Sequence, residues 1–130
     1  MEKAIDILKD FHFTNSIWAL AIPCSLMALD ILTGYLNAWV KHEVKSSRMR
    51  QGLAKKCGEI IVLVVGKLLE YGLTLPSYLM SAISAYIMIM ELWSIVENLD
   101  SLGVPIPKFL KRGLGNMENT INGDDDGGEK

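Results

Sequence analysis

Four ionisable side chains stand inside stretches that are otherwise apolar: Asp30, Lys67, Glu70 and Glu91. Acids in such settings do acid–base chemistry when a nucleophile or a partner base stands at the right spacing. No nucleophile–base or metal spacing accompanies these. His12 and His42 have no ligand partner nearby in sequence, and Cys24 and Cys57 form no zinc pattern. The two cysteines are expected at different depths, as small apolar fillers, which argues against a disulfide within one chain. The chemistry left is that of charges held in a poor solvent: pairing, helix packing and contact with water. No catalytic residue, metal or cofactor is expected.

The elements that carry these charges are long and apolar. Residues 71 to 90 hold no charge. As a helix this run reaches about 30 Å, the thickness of a bilayer core. Ser16 to Val40 is a second apolar stretch, with Asp30 as its one charge. The expected fold is therefore an all-α membrane protein with about three transmembrane helices. The expected spans are residues 16–40, 59–74 and 77–97. An N-terminal amphipathic segment over residues 1–15 precedes them, with Ile5, Leu8 and Phe11 at helical spacing. Lys3 and Lys9 followed by Ala19-Leu20-Ala21 resemble a leader. The apolar run continues well past Ala21, so an uncleaved span is expected.

Pro23 falls within the first span and is expected to kink it. Residues 41–58 read as a polar basic loop. Lys41, Lys45, Arg48, Arg50, Lys55 and Lys56 stand there against Glu43, a formal charge of about +5. Pro76 suits the first turn of a helix. Gly103 and Pro105-Ile-Pro107 end the last span. Residues 105–114 form a juxtamembrane segment carrying Lys108, Lys111 and Arg112. Residues 1–114 make the membrane domain, and residues 115–130 a flexible acidic tail expected to be disordered. Basic segments favour the cytoplasmic side. Three spans put both basic segments there, with the N-terminus outside and the C-terminus cytoplasmic. The basic residues then fix topology and meet anionic lipid. The basic loop is short and lacks interleaved aromatics, so nucleic acid is not expected as a partner.

Each span carries one stripe of polar and small residues. Asp30, Thr33 and Gly34 share a face of the first span, and Glu70 one of the second, with Lys67 at its margin. Ser77, Ser81, Ser84, Glu91 and Asn98 share a face of the third. Either these stripes pack the helices of one chain together, or some face other subunits or water. From the cytoplasmic end Asp30 lies about 15 Å deep, Lys67 about 12 Å and Glu70 about 16 Å. Asp30 and Lys67 are therefore expected to pair.

The order Asp30-Ile-Leu-Thr-Gly34, Lys45-Ser46-Ser47, Gly52-Leu53, Lys55-Lys56, Glu91-Leu-Trp-Ser-Ile-Val-Glu97-Asn98 and Gly103-Val-Pro105-Ile-Pro107-Lys108 resembles the phage lysis and toxin-secretion holins. That family includes the clostridial toxin-release holin. The match covers about residues 28 to 112. The resemblance implies a homo-oligomer in the bacterial cytoplasmic membrane that opens lesions. An endolysin or a toxin then crosses, with no direct contact to the holin required. An antiholin, which shares the fold and inhibits a holin partner, is the alternative. An intramembrane enzyme is the least supported reading.

Overall fold

Four α-helices form, separated by a turn over residues 41–45, one ending at Pro76, and one holding Gly103, Pro105 and Pro107. The computed structural model describes residues 2, 3, 6, 13 and 17–123. Helix α1 is Trp18–Val40, α2 Ser46–Gly72, α3 Ser77–Ser101 and α4 Lys108–Asn122. There is no strand among the described residues. The expected N-terminal amphipathic segment lies almost wholly outside them.

The turns explain why the helices stop. His42 takes a left-handed conformation (φ 54°) just after α1. Its N–H bonds Trp39 O at 3.1 Å, and the next N–H, of Glu43, reaches back to Ala38 O at 2.9 Å. These bonds satisfy carbonyls that the helix end leaves free. Gly103 (φ 83°) does the same after α3, with Val104 N–H on Leu99 O at 3.0 Å. Pro105 then blocks continuation.

Three boundaries differ from expectation, one being the end of α3, which runs to Ser101 and not to residue 97. Helix α2 begins at Ser46, so most of the segment read as a polar loop is helical. Its Met, Gln, Leu, Ala, Lys and Arg residues favour helix strongly enough to carry Gly52 and Gly58. The chain expected to be tail from residue 115 continues as helix to Asn122; residues 124–130 lie outside the described ones.

Helices α1 and α3 run parallel, and α2 runs antiparallel between their ends. Ala19 meets Ser84 and Thr33 meets Asn98 across α1 and α3. Lys56 meets Glu91, while Gly66 lies beside Met80 and Ile83, across α2 and α3. A Cβ on Gly66 would sit 3.1 Å from Met80 Sδ, so glycine permits this approach. The core joins Ala19, Met27, Leu63, Met80 and Ile87. Helix α4 folds back along α3: Lys111 pairs with Asp100 at 2.7 Å, and Gly115 lies against the Trp93 ring.

Much apolar surface faces outward. Leu32, Trp39 and Val40 on α1, and Ile61, Val62 and Leu68 on α2, are each at least half exposed. A water-soluble domain of this size would hide such a surface. Helix α1 and Tyr78–Ser101 of α3 are long and apolar enough to cross a membrane. Helix α2 has the length, but its charges keep it below that standard.

Candidate functional site

Three charges from three helices meet in one layer. Asp30 lies ten residues before the end of α1 at Val40. Lys56 lies ten after the start of α2 at Ser46. Glu91 lies ten before the end of α3 at Ser101. Each is therefore about 15 Å along its helix from the same end of the bundle. Lys56 Nζ lies 2.9 Å from Asp30 Oδ2 and donates to both carboxylate oxygens of Glu91. The side chains are 9%, 11% and 2% exposed for Lys56, Asp30 and Glu91.

Neighbours complete the cluster. Asn98 Nδ2 donates to Asp30 Oδ1 at 3.1 Å and to Thr33 Oγ1 at 3.2 Å. Thr33 Oγ1 in turn donates to the Asp30 carbonyl at 3.1 Å. Gly34 lies beside the amide: a Cβ there would stand 3.5 Å from Asn98 Nδ2, an ordinary contact. Glu59, one turn after Lys56, approaches its Nζ at 3.7 Å and that of Lys55 at 3.7 Å. Burying such charges is costly unless each is paired and hydrogen-bonded, and here one ammonium serves two carboxylates. The layer cannot lose Lys56 without leaving both acids facing each other.

The expected Asp30–Lys67 pair does not form. Lys67 bonds Glu70 Oε2 at 2.8 Å, one turn along the same helix, and its ammonium lies 5.0 Å from the Tyr71 ring centre. The reason is register. With α2 starting at Ser46 and running antiparallel, Lys56 arrives opposite Asp30, and Lys67 lies about 16 Å further along the axis. Lys56, grouped by its sequence with the topology-setting surface cations, is instead buried. The neighbours Lys55, Arg48 and Arg50 do remain exposed, as do Lys41, Lys45, Lys108 and Arg112. Lys111 is half-buried on Asp100.

The serine stripe of α3 is turned largely inward. Ser84 is fully buried, and its hydroxyl donates to the Ala19 carbonyl. That carbonyl is the one Pro23, four residues on and without an N–H, cannot satisfy. The serine thus fills the gap that the proline opens, and α1 runs on through it. Ser81 is half-buried and Ser77 heads the helix.

The polar faces read from the sequence also held Asn37 with Asp30 on the first span and Glu59 with Glu70 on the second; what sequence reasoning misjudged was Lys56. The available signal was the run of helix formers from Ser46, which places Lys56 on the same helix face as Glu59. Among the described residues no group of acids, histidines and cysteines is arranged to hold a metal ion.

A helical chain that gathers its charges between its helices and turns its apolar side chains outward is a small membrane protein. The chain belongs to the bacteriophage holin family, whose family model matches residues 9–119. It is 30% identical over 108 residues to a probable holin of Bacillus phage phi105, covering 83% of this chain and 79% of that protein. It is also 37% identical over 115 residues to an uncharacterised protein of Clostridium perfringens strain 13, covering 86% and 85% of the two chains. An uncharacterised protein of Bacillus subtilis strain 168 is 26% identical over 117 residues, covering 90% and 83%. No solved structure matches the chain. Family membership makes it a non-enzymatic membrane protein.

Proposed function

We propose that this chain assembles in the bacterial cytoplasmic membrane and opens lesions through which an endolysin or a toxin passes. The observation that carries the reading is the buried layer of Asp30, Lys56 and Glu91 inside an apolar exterior. A single chain keeps these charges from lipid by pairing them. Many chains can instead turn them toward a shared aqueous lumen, where water replaces the lost pairs. The protein then has two states of comparable energy, and crowding in the membrane selects the open one.

In this reading α2 is the third span. Its contacts along α3 from Lys56 to Gly66, and its Lys56–Asp30 pair with α1, support that placement. The N-terminus lies outside and the C-terminus in the cytoplasm. Lys41 donates to Ser101, and Lys111 pairs with Asp100, so both basic segments gather at one end of the bundle. That arrangement favours the cytoplasmic side for that end.

Expression of the chain alone in bacteria tests the proposal. Membrane potential should hold and then collapse abruptly after a delay. A gradual leak proportional to expression would argue against a density-dependent opening. Unharmed cells, together with a delay imposed on a co-expressed holin, would assign the inhibitor role instead.

A further inference from the structure

A cleft of about 550 Å³ lies between the end of α1 and the first turns of α2, with Asp30, Lys56 and Asn98 among its lining residues. Four more cations line it: Lys41, Lys45, Arg48 and Arg50. Among the described residues none of these four has a carboxylate within ion-pair distance. Lys41 has a neutral partner, the Ser101 hydroxyl. The start of α2 adds to the positive field. No side chain caps it and its first turn holds no acid, so its N–H groups and dipole favour an anion.

Glu43 is a second acid in the lining beside Asp30, and cations remain in excess; other lining residues are of another kind. Tyr35, Met49 and Leu53 give it apolar wall, and Tyr35 continues into the outward apolar surface of α1. Asn37 also lines it, and its buried Oδ1 has no hydrogen-bond partner among the described residues. An anion that satisfies all three features carries a phosphate for the cations, a hydroxyl for Asn37 and a hydrocarbon portion for the walls.

We propose that this cleft binds the head group of an anionic phospholipid, of the phosphatidylglycerol type, in the leaflet at the basic end of the bundle. Arginine forks engage a phosphodiester in two-point contact, and basic pockets between membrane helices hold such lipids. The lipid stabilises the packed single-chain arrangement, because it bridges α1 and α2 beside the Asp30–Lys56 pair. The proposal rests on the membrane setting and not on lesion opening, so the two are tested apart.

The experiment is native mass spectrometry of the full chain released from micelles doped with phosphatidylglycerol. One such lipid should stay bound per chain, and phosphatidylcholine of the same acyl length should not. Arg48→Gln with Arg50→Gln should weaken retention at least about tenfold. The matched pair Lys108→Gln with Arg112→Gln, outside the cleft, should leave it unchanged. Leu53→Glu, at an exposed wall position, provides a second variant that should keep its helical circular dichroism and lose the lipid. Equal losses from both charge pairs would reduce the effect to diffuse attraction and overturn the site. Equal retention of phosphatidylcholine, displacement by excess inorganic phosphate, or full retention by Leu53→Glu would overturn it as well.

Discussion

Lys56 carries an unequal share of the buried layer, and that inequality is measurable. Removing one partner of a buried charge pair leaves the other uncompensated, at ~3–5 kcal/mol. Lys56→Met leaves two buried acids without their cation and should cost at the top of that range. Asp30→Asn leaves the Lys56–Glu91 pair intact and should cost less, ~1–3 kcal/mol. Lys67→Gln removes only a contact within one helix and should cost less than about 1 kcal/mol. Thermal unfolding in detergent, followed by circular dichroism, ranks the three. A Lys67 variant as damaging as the Lys56 variant would refute the pairing.

A second residue-scale test uses Pro23 and Ser84. Ser84→Ala leaves the buried Ala19 carbonyl without a donor and should cost ~1–3 kcal/mol. Pro23→Ala restores the N–H that a helix normally supplies to that carbonyl. The double variant should therefore be more stable than the sum of the single changes allows. Strict additivity would show that the serine and the proline are unconnected.

At the scale of elements, close approach depends on Gly66, between α2 and α3, and on Gly115, between α3 and α4. A Cβ at Gly115 would stand 3.2 Å from the Trp93 ring, the contact that holds α4 along α3. Gly115→Leu should lever α4 away and expose the bonds after Lys111 and Arg112. Trypsin should then cut there faster while the remaining helices stay folded, and an unchanged cutting rate would place the hold elsewhere. The helix boundaries themselves were partly legible. Pro76, Gly103 and Pro105 announce their turns, because proline and left-handed glycine act locally. The start of α2 was not legible in the same way: its basic residues read equally well as solvated loop, and only packing against α1 and α3 selects helix.

At the scale of the molecule, the buried layer should set the timing of lesion opening. Asp30→Asn weakens the packed arrangement without abolishing it, so the collapse of membrane potential should come earlier than in wild type. Unchanged timing would disconnect the layer from opening. The proposed orientation predicts that a cysteine introduced at Ser46 or Asn122 reacts with an impermeant maleimide only after cells are opened. Reaction in intact spheroplasts would reverse the topology.

The sequence by itself determined the solvent of this protein and its family. Long apolar stretches with few charges point to hydrocarbon as the surroundings, since a helix of about 20 such residues can span a bilayer core. The motifs from Asp30 to Lys108 carry the holin resemblance, to which the family model and the phage phi105 relative also point. Polar stripes at helical spacing were likewise readable, because the periodicity of a helix is fixed by its backbone. Only the tertiary structure decided which charge meets which. Depth estimates made Lys67 the apparent partner of Asp30, yet antiparallel register delivered Lys56. Pairing depends on where a helix begins and which way it turns, and those are set by contacts between segments remote in sequence.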